Sequence, residues 1–260
     1  RDYYASRGLG DVYKRQKCTV EVEHMGEVLA CMTKVTDGMR ITIPEVQLRA
    51  QKSKIAENGT VTHYPADDGE GLDAACDIGT TTVVCHLIDG KTGEKLATVS
   101  EPSAQRSFGA DVLSRIQAAE AGKLEILKEQ IIFQIAQMLR TLQKKTGRGE
   151  QIQRLAVVGN TVMCHLFAGI SPVSIGVTPF MPQEFFGKEY TGEQLGLTDC
   201  RSVYIAPAVA GFVGGDITSD LLAVMQKKPK DKVLLLDIGT NGEMAVSYTH
   251  LRAHETRSNL

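Results

Sequence analysis

The chain has no surplus of either charge: 29 basic and 31 acidic residues leave a net charge of −2. No basic stripe runs along any segment, which excludes nucleic acid as an expected partner. It also lacks any run near the ~20 apolar residues that a membrane-spanning helix needs, so no membrane is expected either. Residues 1–16 have no apolar core of the kind a secretory signal carries. The six cysteines (Cys18, Cys31, Cys76, Cys85, Cys164 and Cys200) are too scattered for a disulfide framework. Cys76, Cys85 and Cys164 sit in apolar segments and read as small core residues, and the usage as a whole fits a reducing, cytoplasmic setting. What remains is ordinary: 260 residues with 42% hydrophobic and 23% charged content, enough for one large or two modest globular units.

Against that background one repeat stands out. Asp77-Ile-Gly-Thr-Thr-Thr82 and Asp237-Ile-Gly-Thr-Asn-Gly-Glu243 each follow an apolar run, 160 positions apart. Each reads as a strand that delivers a carboxylate to its tip, then turns. The glycines, Gly79 and Gly239, let backbone N–H groups approach an anion closely. Thr80, Thr81 and Thr82 in the first copy, and Thr240, Asn241, Gly242 and Glu243 in the second, complete two candidate phosphate loops. Asp77 and Asp237 cannot touch phosphate, but they can hold the Mg²⁺ that travels with a nucleotide, usually through water. One copy alone would equally be a hairpin turn. Two copies facing each other could clamp a single nucleotide.

The segments between the loops have the grammar of an α/β unit. Residues 74–89 read as a strand interrupted by the first loop, and the turn at Gly90-Lys-Thr-Gly93 leads to an antiparallel strand over 95–99. Apolar spacing of three and four predicts helices over 110–121 and 124–144, the second presenting Leu127, Ile131, Ile135, Met138, Leu139 and Leu142 on one face and ending at Gly147-Arg-Gly149. Leu155-Ala-Val-Val158 suits a buried parallel strand that leads through Gly159 into an apolar helix running to about Ala168. Three prolines make 171–200 irregular; a strand resumes over 203–206, and a helix follows over 217–225.

Two helix starts carry alternatives. Asn160 or Thr161 is a natural N-cap, and Asn160 could instead face a nucleotide. Asp216, at the glycine-rich turn 21 residues before Asp237, is also well placed as an N-cap. A carboxylate there could equally act as catalytic base, orienting water or Mg²⁺ against a terminal phosphate, as a Gly-Asp does in sugar kinases. His165 lacks a partner motif and is assigned to packing or surface.

Upstream, Cys18 and Cys31 bracket a short hairpin. Two thiols alone cannot close a metal site, yet the stretch from Lys17 to Met39 resembles the last part of a plant-type 2Fe-2S ferredoxin, a β-grasp domain, with Cys18 and Cys31 as its third and fourth ligands. Residues 45–71 read as a linker or as an extension packed on the next domain. The ordered set of the ferredoxin end, DIGTTT, VVGNTVMCHLFAGISP, YIAPAVAGFVGGDITSDLLA and LLLDIGTNGE is similar to the reductive activators of corrinoid proteins. These belong to the actin and sugar-kinase superfamily and carry a fused 2Fe-2S domain. The resemblance covers about residues 17–245. It implies an α/β, RNase H-like ATPase lobe preceded by a ferredoxin remnant, with a 2Fe-2S cluster, ATP and Mg²⁺ as cofactors. The implied reaction is one-electron reduction of cob(II)amide on the corrinoid protein of a methyltransferase system, driven by ATP; a homodimer stays open.

The boundaries expected on this reading are 17–44 for the ferredoxin end, 45–71 for the linker, 72–229 for a middle ATPase-type domain and 230–245 for the start of a carboxy-terminal one. Residues 1–16 and 246–260 resemble translated adapter read-through, natural flexible ends being the alternative. With two of four cluster ligands and no adenosine-binding loop, the fragment is expected to be inactive by itself. A small-molecule kinase using Asp216 as base, and a non-catalytic binding protein whose loops are mere turns, are the other readings.

Overall fold

The computed structural model describes residues 19–29, 33–34, 36, 38–42, 64, 69–227, 229, 232–239, 242–247 and 251–256. The expected thiol ligands Cys18 and Cys31, the loop residues Thr240 and Asn241, and nearly all of the expected linker lie outside them. The chain divides into two units, residues 1–54 with 259–260, and residues 55–258.

In the first unit β1 (Thr19–Val22) and β2 (Gly26–Leu29) form an antiparallel hairpin, and β3 (Ile41–Thr42) pairs with the other edge of β1. The turn is made at Glu23–Met25, where His24 and Gly26 take positive φ (70° and 72°). Val22 is buried.

The second unit is built on a six-stranded mixed sheet. Its strands are β4 (Leu72–Ile78), β5 (Thr82–Asp89), β6 (Lys95–Pro102), β7 (Ile152–Val158), β8 (Lys188–Thr191) and β9 (Cys200–Ile205), in the order β6-β5-β4-β7-β9-β8. The first three form an antiparallel meander; β7 and β9 then join parallel to β4, and β8 closes the edge antiparallel. This is the RNase H-like order. Along β4 the alternation puts Leu72, Ala74, Cys76 and Ile78 in the core and turns Asp77 to the opposite face.

The core face is covered by α1 (Val112–Ala118), α2 (Leu124–Thr146) and α3 (Thr161–Ala168). Asp111 caps α1 by accepting from the Ser114 N–H, and a wide turn over Ala119–Lys123, with Gly122 at φ 81°, separates α1 from α2. The six α2 residues expected on one face are all fully buried, and Gly147 ends the helix at φ 68° in the left-handed region. Burying these side chains, each worth roughly 1.5–3 kcal/mol against exposure, is what holds α2 to the sheet.

Two segments differ from expectation. The strand expected over 155–158 begins at Ile152, because Leu72 already pairs with Ile152 at the start of β4. Residues 171–200, expected to be irregular, contain β8 and a single helical turn, α4 (Gly192–Leu195), which Thr191 and Gln194 fix through a reciprocal capping box. Beyond β9 comes α5 (Gly215–Gln226), then an antiparallel sheet of β10 (Leu234–Ile238), β11 (Gly242–Ser247) and β12 (Leu251–Thr256). Val213, Ile217 and Ala245, with Leu221 and Leu235, join α5 to this sheet. Among the described residues no helix is long and apolar enough to cross a membrane.

Candidate functional site

Because β4, β7 and β9 are parallel, the loops leaving their carboxyl ends lie at one edge of the sheet, where open α/β sheets place their ligands. These loops are 79–81, 159–160 and 206–214. Gly79 makes the first loop tight: a Cβ there would stand 2.6 Å from the Thr82 carbonyl oxygen, so no other residue fits the turn.

Asn160 ties the first loop to the second. Its Oδ1 accepts from the Met163 N–H at 3.0 Å, the N-cap bond of α3, while its Nδ2 donates to the Thr80 hydroxyl at 3.0 Å. The two readings of Asn160, cap and loop contact, are therefore compatible. The third loop meets the second at Gly214, where a Cβ would lie 2.5 Å from the Asn160 Cα. The Asp216 N–H donates to the Gly159 carbonyl at 3.2 Å, and the Thr161 hydroxyl donates to that of Ala210 at 2.7 Å. The N-termini of α3 and α5 are thus brought together beside the first loop.

Asp216 is not the cap of α5, as its sequence position suggested. Gly214 takes that place, because the close approach to Asn160 admits no side chain, and Asp216 falls in the first turn. There it is half-buried, its Oδ1 accepting from the Ile217 N–H at 2.8 Å. Asp220, one turn further on, lies on the same side of α5.

Asp77 points from the outer face of β4 toward the same region. In β10, Leu235 packs on α5, so Asp237, two residues on, shares that face. Across the ladder Asp237 stands opposite Glu243, which is buried. Asp77 reaches water at its tip but is ringed by protein elsewhere. Loss of hydration, reinforced by the charges of Asp216, Asp237 and Asp220, pushes its carboxyl up to about 7. Asp216 is pushed up to about 6, chiefly by burial; the Ile217 N–H pulls the other way and Asp237 and Asp220 add to the rise. Asp220 is raised by burial and by Asp237.

None of these four aspartates forms an ion pair with a described cationic side chain. Such a cluster repels itself and is relieved by a divalent cation. Among the described residues, however, no three His, Cys, Asp or Glu side chains are grouped closely enough to hold a metal by themselves.

Of the other expected residues, Thr80 is 5% exposed with its hydroxyl turned to Asn160, Thr81 is exposed, and Thr82 begins β5. Gly239 is exposed and Gly242 is half-buried. Of the two places expected for His165, packing or surface, it takes the first: its Nδ1 bonds the Thr161 carbonyl at 2.7 Å, its Nε2 accepts from the Glu184 N–H at 3.3 Å, and burial lowers its pKa.

Two residues escaped the sequence reading. Asp220 was signalled by its four-residue spacing from Asp216 on an expected helix. Arg115 was signalled by a lone cation on the apolar face formed by Val112, Ile116 and Ala119.

Residues 72–228 match the family model described as the RACo middle region. The chain is 33% identical over 201 residues to the corrinoid activation enzyme RamQ of Eubacterium limosum, a match covering 74% of this chain and 33% of that protein. It is 28% identical over 193 residues to a Co(II) methylated amine-specific corrinoid protein reductase of Methanosarcina barkeri, covering 66% and 33%. Among solved structures, a reductive activator for corrinoid,iron-sulfur protein superposes with a TM-score of 0.67 at 34% identity, over 72% of this chain and 31% of that one. The chain therefore spans about a third of the length of the relatives it matches.

Proposed function

Since the chain belongs to the RACo middle region family, we propose that it forms one wall of an ATP site whose hydrolysis drives reductive activation of a corrinoid protein. The observation that carries this reading is the convergence of Asp77, Asp216, Asp220 and Asp237, mutually repelling and without cationic partners among the described residues, beside the glycine-tight loop at 79–82. In this reading Asp77 and Asp237 hold Mg²⁺ through water, while backbone N–H groups of the two loops, Thr80 to Thr82 and Thr240 to Glu243, receive the phosphates. Asp216, with a pKa near working pH, orients the attacking water and takes its proton. Asn160 holds the first loop against α3.

The partner would be a Co(II) corrinoid protein, by analogy with the substrate named for the Methanosarcina relative. Returning cobalt to the reduced state is uphill, and coupling to nucleotide hydrolysis supplies the free energy through a change in lobe closure. A 2Fe-2S cluster would supply the electron, but the described residues do not provide a site for it. Four thiolates are required, and the two expected ones, Cys18 and Cys31, lie outside those residues. A cytoplasmic setting follows from the same redox chemistry.

The test is anaerobic assay of the whole protein for ATP hydrolysis stimulated by a Co(II) corrinoid protein, with loss of the Co(II) signal. Hydrolysis that is indifferent to the corrinoid protein, accompanied by phosphorylation of a sugar or acid, would support the kinase reading instead.

A further inference from the structure

Arg115 is the largest fully buried side chain among the described residues, at 0% exposure. It lies on the inner face of α1, and among the described residues it forms no ion pair. Nη1 donates to Gln105 Oε1 at 3.4 Å and to Met163 Sδ at 2.7 Å. Nη2 donates to the carbonyls of Thr80 and, at 3.5 Å, Gly109. Nε has no hydrogen-bond partner among the described residues. Burial lowers the guanidinium pKa to about 10, with Asp111 acting to raise it and Arg106 to lower it further.

A buried cation without a counter-ion is expensive, and an apolar side chain of similar volume would fill the same space without that cost. The position is explained by what the charge faces. The Thr80–Thr81 peptide is planar and trans, so a carbonyl drawn inward to Arg115 directs the N–H edge of the same peptide to the opposite side. The positive end of that dipole therefore faces the outer side of the loop, and the guanidinium, in no ion pair among the described residues, adds its charge behind it in a poorly screened interior.

We infer that Arg115 is a positioning residue for anion binding, fixing the Thr80–Thr81 peptide and supplying the positive field behind the 79–82 loop. The inference rests on reading that loop as the nucleotide cradle. The chain would be titrated with MgATP and MgADP beside the variants Arg115→Met, Arg115→Lys and Gln105→Glu, with circular dichroism and thermal melting on each. Arg115→Met is expected to weaken MgATP binding about tenfold and MgADP less, in proportion to phosphate charge, with Arg115→Lys recovering part of the loss.

Gln105→Glu is the discriminating change. It places a carboxylate against Nη1, neutralising the field and weakening MgATP, and it gives up the 2.8 Å bond from Gln105 Nε2 to the Leu127 carbonyl, so its affinity is read only with a melting curve that shows it folded. A merely structural arginine predicts unchanged affinity in that variant, and that result overturns the inference even where Arg115→Met does not fold. Binding by the parent chain with unchanged affinity in every folded variant removes the inference and leaves the cradle standing. No binding by the parent removes both.

Discussion

Asp77 and Asp216 set the pH behaviour of the site. Both carboxyls titrate higher in the folded chain, at about 7 and about 6, than the ~3.9 of an unfolded aspartate. The folded state therefore binds more protons between those limits. The stability these groups contribute is full below about pH 4 and is lost as pH rises through 6 and 7. Nucleotide binding runs the other way, since Mg²⁺ needs the ionised forms. Magnesium-dependent ATP affinity should rise between pH 5.5 and 8 while the melting temperature, corrected for His165, falls; parallel curves would refute the assignment. His165 contributes the opposite slope, because its lowered pKa makes the folded state reject a proton below about 6.5. Replacing it by Gln removes that opposing slope and leaves the contribution of the aspartates. At Asn160, substitution by Ala removes both the cap of α3 and the tie to Thr80, and the melting curve should report a loss of about 1–2 kcal/mol.

At the scale of elements, the site exists because helix ends meet without side chains between them. Gly214→Ala inserts a Cβ against the Asn160 backbone, which has no freedom to yield. Overpacking of this kind costs about 1–3 kcal/mol, and here it should also part α5 from α3. The expected result is a lower melting temperature together with a fall in MgATP affinity exceeding that of Asn160→Ala; normal binding would show that the contact between the two helix ends is incidental. The sequence made the elements legible where a period was long. The α2 face from Leu127 to Leu142 and the Gly147 stop emerged as expected. So did the strand around Asp77 and the helix after Asn160. The edge strand Lys188–Thr191 did not, because KEYT has no apolar alternation and depends on pairing with β9. The cap of α5 was misplaced for a related reason: Asp at a helix start is a good cap by local preference, but the close packing of Gly214 on Asn160 decides the geometry from 54 residues away.

For the whole molecule, the pairing of the two DIGT segments stays a proposal, which the charge interaction of Asp237 with Asp77 supports. Asp220 and Arg115 were not read, since each acquires its meaning only when α5 and α1 are folded against the loops. The match covers about a third of the relatives' length, so the complete nucleotide site is proposed to draw on more than this chain. The wall described here should still recognise the magnesium phosphate end. The most direct test is calorimetric titration of MgATP into the chain and into Asp77→Asn, with and without EDTA. The account predicts one binding event per chain, abolished by EDTA, weakened at least about tenfold in Asp77→Asn and accompanied by an unchanged or higher melting temperature for that variant. Equal affinity in the two proteins, or binding indifferent to the metal, would contradict it.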